Sequence, residues 1–300
     1  MDLCSIDGKE QDYPPSKMKP NLSTRIQVVV IGNYLPDQQR SMQRFSELLV
    51  TGLRSKSLHV TMLRPPICFG RLGAKPSGIG KWLGYLDKYL VAPFYLWHHI
   101  RRVSTPRVVH VIDHSNAFYT AVLKNESHLV TCHDMLAVRS ARGEFGHNQV
   151  GWTGRIQQWH ILRGLKRSRH IACVSRATAN DAARLTGHPA DRISTVANAL
   201  SPEFLEATES FGGGRPEASP CQGQPYVLHV GSDAWYKNRG AVLAVFRQLA
   251  ERDTGLQLCL VGPVFSEATL DAYGVARLKD RIHYLKAPSD RDLRRIYAAA

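Results

Sequence analysis

Residues 226–251 read YVLHVGSDAWYKNRGAVLAVFRQLAE. An apolar run ends at Gly231, a short polar loop carries Lys237 and Asn238, and an amphipathic helical pattern follows. Helix N-terminal amides and a lysine both favour anions. A strand, a glycine and a basic loop opening a helix therefore make a place to hold phosphate, with Gly231, Ser232, Lys237 and Asn238 as the candidate contacts. The same stretch restarts a strand–helix alternation that already fills the residues before it. Two alternations in tandem predict two α/β domains with doubly wound parallel sheets, holding an activated, phosphate-bearing ligand between them.

Upstream, RIQVVVIG (25–32) is a continuous, β-branched apolar run closed by glycine, the pattern of a parallel strand buried on both faces. Met42, Phe45, Leu48, Leu49 and Leu53 then share one helical face. Further strands are expected at 58–63, 108–114, 128–134, 170–175 and 193–200. Trp152, Ile156, Trp159, Leu162 and Leu165 recur at helical spacing, and Ser175 and Gly187 supply a cap and a stop for another helix. Open α/β sheets bind ligands at the carboxyl ends of their strands. That rule makes Asp113 and His114, His133 and Asp134, and Asp37 in the first loop the candidates of this half.

The domain plan expected is a disordered tail over 1–24, a first domain over 25–208, a linker over 209–225 and a second domain over 226–300. After the linker the pattern predicts strands at 226–231, 256–261 and 281–285, with helices near 239–251, 266–278 and from Ser289. Three strands are fewer than a self-sufficient sheet of this kind carries, so the second domain is expected to be incomplete.

The net charge of +14 favours anionic partners. No nucleic-acid recognition motif accompanies it, and the basic residues are dispersed rather than interleaved with stacking aromatics. The six cysteines have no C-x-x-C spacing, and Cys132, Cys173 and Cys259 sit in apolar runs, which suits a reducing compartment and neither a disulfide framework nor a zinc site. The N-terminal residues lack the apolar core of a secretory signal, and no run reaches the roughly 20 apolar residues of a membrane span. The expected location is cytoplasmic. Residues 82–102 mix tryptophan, tyrosine and phenylalanine with lysine and arginine around Pro93. They read either as a core-packed helix pair interrupted at the proline or as an interfacial surface that meets anionic lipid at the inner face of a membrane. The basic residues Arg155, Arg163, Lys166, Arg167 and Arg169 read as a solvated face.

Four motifs in order, TCHD (131–134), VSRATANDAARLTG (174–187), VANALSPEF (196–204) and LHVGSDAWYKN (228–238), resemble those of the GT-B glycosyltransferases called family 4. The resemblance implies two Rossmann-type domains and transfer of a hexose, with retention, from a GDP- or UDP-sugar to a glycan, lipid-linked or small acceptor, without a metal or other cofactor. It implies that His133 lies near the reacting sugar, that Lys237 neutralises the donor diphosphate beside Asn238, and that the first domain takes the acceptor. Tyr236 stands where the family usually has arginine. The family's E-x7-E motif is not found after the second domain's strands. Glu209 and Glu217 have its spacing but fall in the linker. A truncated remnant serving as a binding or scaffold protein is the alternative reading.

Overall fold

The computed structural model describes residues 26–72, 79–104, 106–146, 148–200, 204, 220–221 and 223–300. The expected tail, residues 209–219 of the expected linker, Glu209 and Glu217 lie outside them. Two compact units result. One holds the described residues up to Met135 with Ile156–Thr195, and the other holds Leu136–Arg155 with Val196–Ala300.

The first unit is built on six parallel strands, β1 (Gln27–Ile31), β2 (His59–Leu63), β3 (Arg107–Val111), β4 (Ser127–Cys132), β5 (His170–Cys173) and β6 (Ile193–Thr195), in the order β2-β1-β3-β4-β5-β6. Val28 to Ile31 are all buried, as a strand covered on both faces requires. Helix α1 (Arg40–Ser55) lays Phe45, Leu49, Val50 and Leu53 on Val28, Val30 and Ile112. The chain leaves β1 towards β2 on one side and later returns to place β3 on the other, so the carboxyl ends of β1 and β3 flank a topological switch point.

Pro93 does not interrupt the helical run. Helix α2 (Ile79–Leu86) passes through a π turn, Asp87–Val91, into α3 (Ala92–Arg102). The Ala92 amide donates to the Asp87 carbonyl five residues back, which widens the turn just before a residue with no amide hydrogen of its own. Asp87 is buried at this turn and collects the Tyr34 hydroxyl at 2.6 Å and the Cys68, Phe69 and Gly70 amides at 3.0, 2.9 and 2.9 Å. These bonds fasten the run to the loops after β1 and β2. Short helix α4 (Leu136–Ala141) and α5 (Trp152–Arg167) follow β4. In α6 (Arg176–Thr186) the Ser175 hydroxyl accepts from the Thr178 amide, and Gly187 ends the helix at φ 74°, so both punctuation signals act as the sequence predicts. The expected strand over 193–200 pairs only through Thr195; residues 196–200 leave the sheet.

The second unit has three parallel strands in the order β7 (Tyr226–Val230), β8 (Gln257–Val261), β9 (Ile282–Leu285). Helix α7 (Arg239–Arg252) buries Leu243, Phe246 and Ala250 against Leu258, Leu260 and Ile282. The helix expected over 266–278 is α8 (Glu267–Ala272) followed by a separate 3-10 stretch, Ala276–Arg281, because Gly274 takes a left-handed turn between them at φ 67°. The final helix α9 (Asp290–Ala299) packs Ile296 on Tyr226 and Cys259, and its Ile296 carbonyl accepts from the Tyr226 hydroxyl at 2.6 Å. Cys132, Cys173, Cys221 and Cys259 are buried, and none of the four is in a disulfide. No described helix is long and apolar enough to cross a membrane.

Both units use one local device. After β1 the chain passes Gly32, turns through a 3-10 stretch at Leu35–Asp37 and reverses at Gln38, φ 51°, shortly before α1. After β7 it passes Gly231, turns at Trp235–Lys237 and reverses at Asn238, φ 44°, before α7.

Candidate functional sites at two strand edges

In the first unit the switch point gathers polar side chains from three strand ends. Asn33, just past β1, donates from Nδ2 to Asp113 Oδ2 at 2.6 Å and to Gln39 Oε1, while its carbonyl accepts from Asn116 at 3.3 Å. Asp113 also accepts from the Ser115 amide at 2.9 Å and hydroxyl at 2.7 Å, and faces His114 Nδ1 at 3.4 Å. Burial alone pushes this carboxyl up. His114 and the hydrogen bonds from Ser115 and Asn33 outweigh it and hold Asp113 below the usual carboxylate range. An anion so fully satisfied is a fixed floor for the site rather than a base poised to take a proton.

His133 follows β4 on the same edge. Its Nε2 lies 3.0 Å from the Ile112 carbonyl, and its ring packs edge-on against Phe45 at 4.8 Å. A carbonyl only accepts, so Nε2 carries the hydrogen and, in the neutral ring, Nδ1 is the acceptor. Burial holds the imidazole below its ordinary pKa and favours that neutral form. The backbone is fixed as well. The Thr178 hydroxyl donates to the His133 carbonyl at 3.3 Å, and the His133 amide donates to His114 Nδ1 at 3.4 Å. The arrangement presents a neutral nitrogen that accepts a hydrogen bond, which suits a hydroxyl donor.

The structure thus brings Asp113, His114 and His133 together and adds Asn33, which the sequence does not single out. Asp134 is half-buried next in the chain, with its carbonyl 3.4 Å from the Cys132 thiol. Asp37 is not part of this cluster: it pairs with Lys88 at 2.9 Å.

In the second unit the loop after β7 gathers bases. Gly231 leaves the Lys237 stem room to lie over the strand end, where an added Cβ would meet Lys237 Cδ at 3.5 Å and His229 Cε1 at 3.0 Å. Asn238 makes no side-chain capping bond at the start of α7. Arg239, also missed in the sequence, is buried. It reaches Asp233 Oδ1 at 3.3 Å and the Pro263 carbonyl, with its guanidinium 4.3 Å over the Phe265 ring. It ties the β7 loop to the β8 loop, which approach so closely that a Cβ on Gly262 would lie 2.2 Å from the Gly231 carbonyl oxygen. Burial first, then the charges of Arg239 and Lys237, keep the His229 imidazole below its ordinary pKa. Arg239 Nε and His229 Nδ1 are both buried with no hydrogen-bond partner among the described residues. The signal that could have found Arg239 is its place directly after Asn238 in the basic loop that opens the helix. No group of three or more metal-ligating side chains occurs among the described residues.

Two parallel sheets with ligand-class side chains at their carboxyl edges define an α/β protein of the GT-B glycosyltransferase type. Solved structures share the architecture. HepE of Anabaena, in complex with UDP, is 11% identical, with 91% of this chain and 72% of that chain covered at a TM-score of 0.53. An α,α-trehalose-phosphate synthase (UDP-forming) from Burkholderia xenovorans, in complex with glucose-6-phosphate, is 11% identical, with 91% and 76% covered at 0.55. Residues 42–204 match the Glycosyltransferase Family 4 domain, and the chain belongs to that family. No curated protein sequence matches the chain.

Proposed function

We propose that the protein transfers a hexose from a nucleoside-diphosphate sugar, a UDP- or GDP-sugar, to a glycan, lipid-linked or small acceptor in the cytoplasm, with retention at the sugar carbon. The observation that carries the reading is the basic loop after β7. His229, Lys237 and Arg239 converge there around Gly231 beside a helix N-terminus, and two of the three hold orphaned buried nitrogens. Buried polar atoms without partners are costly, and a bound polar ligand relieves that cost. As the nucleoside diphosphate leaves, negative charge grows on its phosphates. A cation placed beside them, here the exposed Lys237, stabilises that charge. Lys237 is assigned to the diphosphate, Gly231, Ser232 and Asn238 to the surrounding backbone contacts, and Arg239 to holding the loop. No metal is required in this reading, because Lys237 supplies the positive charge. His133 accepts a hydrogen bond from a sugar hydroxyl, and Asp113, His114 and Asp134 shape the acceptor side. UDP is the first nucleotide to test, since HepE of similar fold holds it.

The test is calorimetric titration of UDP and GDP into the protein and into Lys237→Ala. Removing one charge-assisted contact is expected to weaken binding of the preferred nucleotide by about tenfold or more. A folded protein that binds neither nucleotide, or a variant that binds as well as the parent, defeats the assignment and favours the non-catalytic binding protein.

A further inference from the structure

The run from α2 through the π turn to α3 has two unlike faces. Gly84, Asp87, Ala92, Leu96 and Ile100 are buried. On the other side Trp82, Leu90 and Phe94 are 63%, 67% and 72% exposed, in line with exposed Leu86 and Trp97. Four-residue steps on an α-helix drift by about 40° each, which would wind such a stripe around the axis. The wider π turn at Asp87–Val91 takes up part of that drift, so both helices present their large apolar side chains to solvent on one side.

The charge around the stripe is of one sign. Across residues 79–102 the sole acid in the sequence is Asp87, which is buried and fully engaged. The nearby Asp37 is neutralised by Lys88. Arg101 lies 4.4 Å over the Trp97 ring, and Arg102 follows it exposed. Beside them a pocket of about 260 Å³ is lined by Trp97, Ile100, Arg101, Lys124 and Asn125, and its one acid, Glu126, is held by Arg107 at 2.8 Å.

We propose that this face docks on the surface of an anionic phospholipid bilayer, its aromatic and aliphatic side chains entering the boundary between headgroups and acyl chains and Arg101 and Lys124 meeting lipid phosphates. An apolar stripe flanked by cations, with the exposed Asp37 nearby held in an ion pair by Lys88, is the chemistry that such a surface recognises. A second copy of this chain fits less well, because pairing the same face in a molecule of net charge +14 would set like charges together. The run lies on the bilayer rather than through it, since its other face is packed in the protein. The docking goes beyond the transfer reaction and does not depend on it.

The test is flotation of the whole chain with vesicles of phosphatidylcholine alone and with about a third phosphatidylglycerol, without nucleotide. Intrinsic tryptophan fluorescence and quenching by brominated acyl chains report insertion. The protein is expected to float with the anionic vesicles only and to lose most of that binding as salt is raised. The exposed pair Leu90→Gln with Phe94→Gln is expected to lower the partition coefficient about tenfold or more while circular dichroism stays unchanged. Arg101→Ser with Lys124→Ser is expected to remove the preference for anionic lipid. A parent chain that stays unbound, a Leu90→Gln/Phe94→Gln protein that floats as well as the parent, or a parent dimer in solution that this double substitution dissolves would each overturn the proposal. Because no nucleotide is present, its failure is distinct from failure of the donor site.

Discussion

Replacing Asp87 with alanine removes the acceptor on which four donors converge: the Tyr34 hydroxyl at 2.6 Å and the amides of Cys68, Phe69 and Gly70 at 3.0, 2.9 and 2.9 Å. Asp87 itself has no exposed surface. A stranded buried donor costs on the order of 1–3 kcal/mol, but the three amides are only partly buried and water can reach some of them. Deleting the carboxylate also removes its own burial penalty. The expected net loss is therefore about 3–5 kcal/mol, below the sum of four charged bonds. Tyr34→Phe strands nothing and leaves the carboxylate its three amides, so it is expected to cost about 1–2 kcal/mol. Urea unfolding of parent and variants, followed by circular dichroism, gives both numbers. For a unit of this size the alanine variant should melt roughly 6–20 °C lower. The acid limb supplies an independent check. Burial raises the Asp87 carboxyl, but the Tyr34 hydroxyl and the three amides overcome it and hold it below its ordinary value. The stability it contributes is whole above about pH 4 and is lost as pH falls through the depressed folded value, a loss that Asp87→Asn should not show. An alanine variant within about 1 kcal/mol of the parent, or a Tyr34→Phe variant as unstable as Asp87→Ala, would refute the view that this carboxylate fastens the π turn to the sheet's loops.

His110, buried on β3 with Nε2 2.7 Å from the Thr131 hydroxyl, is pushed down to about 4 by burial and by the neighbouring His133. Its folded ring stays neutral where the unfolded one takes a proton. Its contribution is therefore complete above about pH 6.5 and declines, by on the order of 3 kcal/mol, as pH falls from there towards about 4. His110→Gln should flatten that window in urea midpoints measured at several pH values, and an unchanged slope would count against it. Gly164 on α5 faces the Ala117 carbonyl so closely that a Cβ would lie 2.2 Å from its oxygen, so Gly164→Ala should cost about 1–3 kcal/mol or more in thermal melting. A variant that melts with the parent would mean that α5 and the Ala117 backbone are not in such close contact.

The strands are legible in the sequence because parallel, doubly covered strands are continuous apolar runs, and RIQVVVIG and YVLHVG admit little else. Ser175 and Gly187 are legible because capping is local chemistry. Long-range pairing is not. Asn33 reads as an ordinary loop amide, and its partner Asp113 is 80 residues away. Only the order β2-β1-β3 brings the two strand ends together, and pairing them from sequence requires knowing where the switch point falls. Asp37 has the position of a site residue, and nothing local reveals that Lys88, 51 residues on, neutralises it. In residues 82–102 the spacing of Leu83, Leu86, Leu90 and Phe94 suggests one buried face. Leu86, Leu90 and Phe94 are instead exposed, and the buried positions are Gly84, Asp87, Ala92, Leu96 and Ile100, a face marked by small residues and one acid that nothing local identifies as the packed one. Arg239 does not stand out because a basic residue at a helix start is normally solvated; the Pro263 carbonyl and the Phe265 ring that bury it come from the next strand's loop.

The shared loop device also separates the contribution of backbone from that of side chains. After β1 and after β7 the chain makes the same moves, a glycine, a 3-10 turn and a left-handed residue before a helix. The backbone therefore delivers a strand end and a nearby helix N-terminus in both places. Side chains then give the two edges opposite character. At β1 and β3 an amide, Asn33, is bound to a buried carboxylate, Asp113, so the edge is a satisfied, negatively charged floor that would repel a diphosphate and accept hydroxyl donors. At β7 the bases His229, Lys237 and Arg239 crowd one loop, and the neighbouring acid, Asp233, is mostly exposed and screened by water. An anion is attracted to the second edge and not to the first, although a helix N-terminus stands at both. In the proposed function, charge placed on the repeated backbone, rather than the backbone itself, is what sets a donor edge apart from an acceptor edge. Exchanging signs at one edge, for instance Lys237→Glu, should abolish nucleotide binding in calorimetric titration without disturbing the fold, because this lysine's charge makes no ion pair among the described residues.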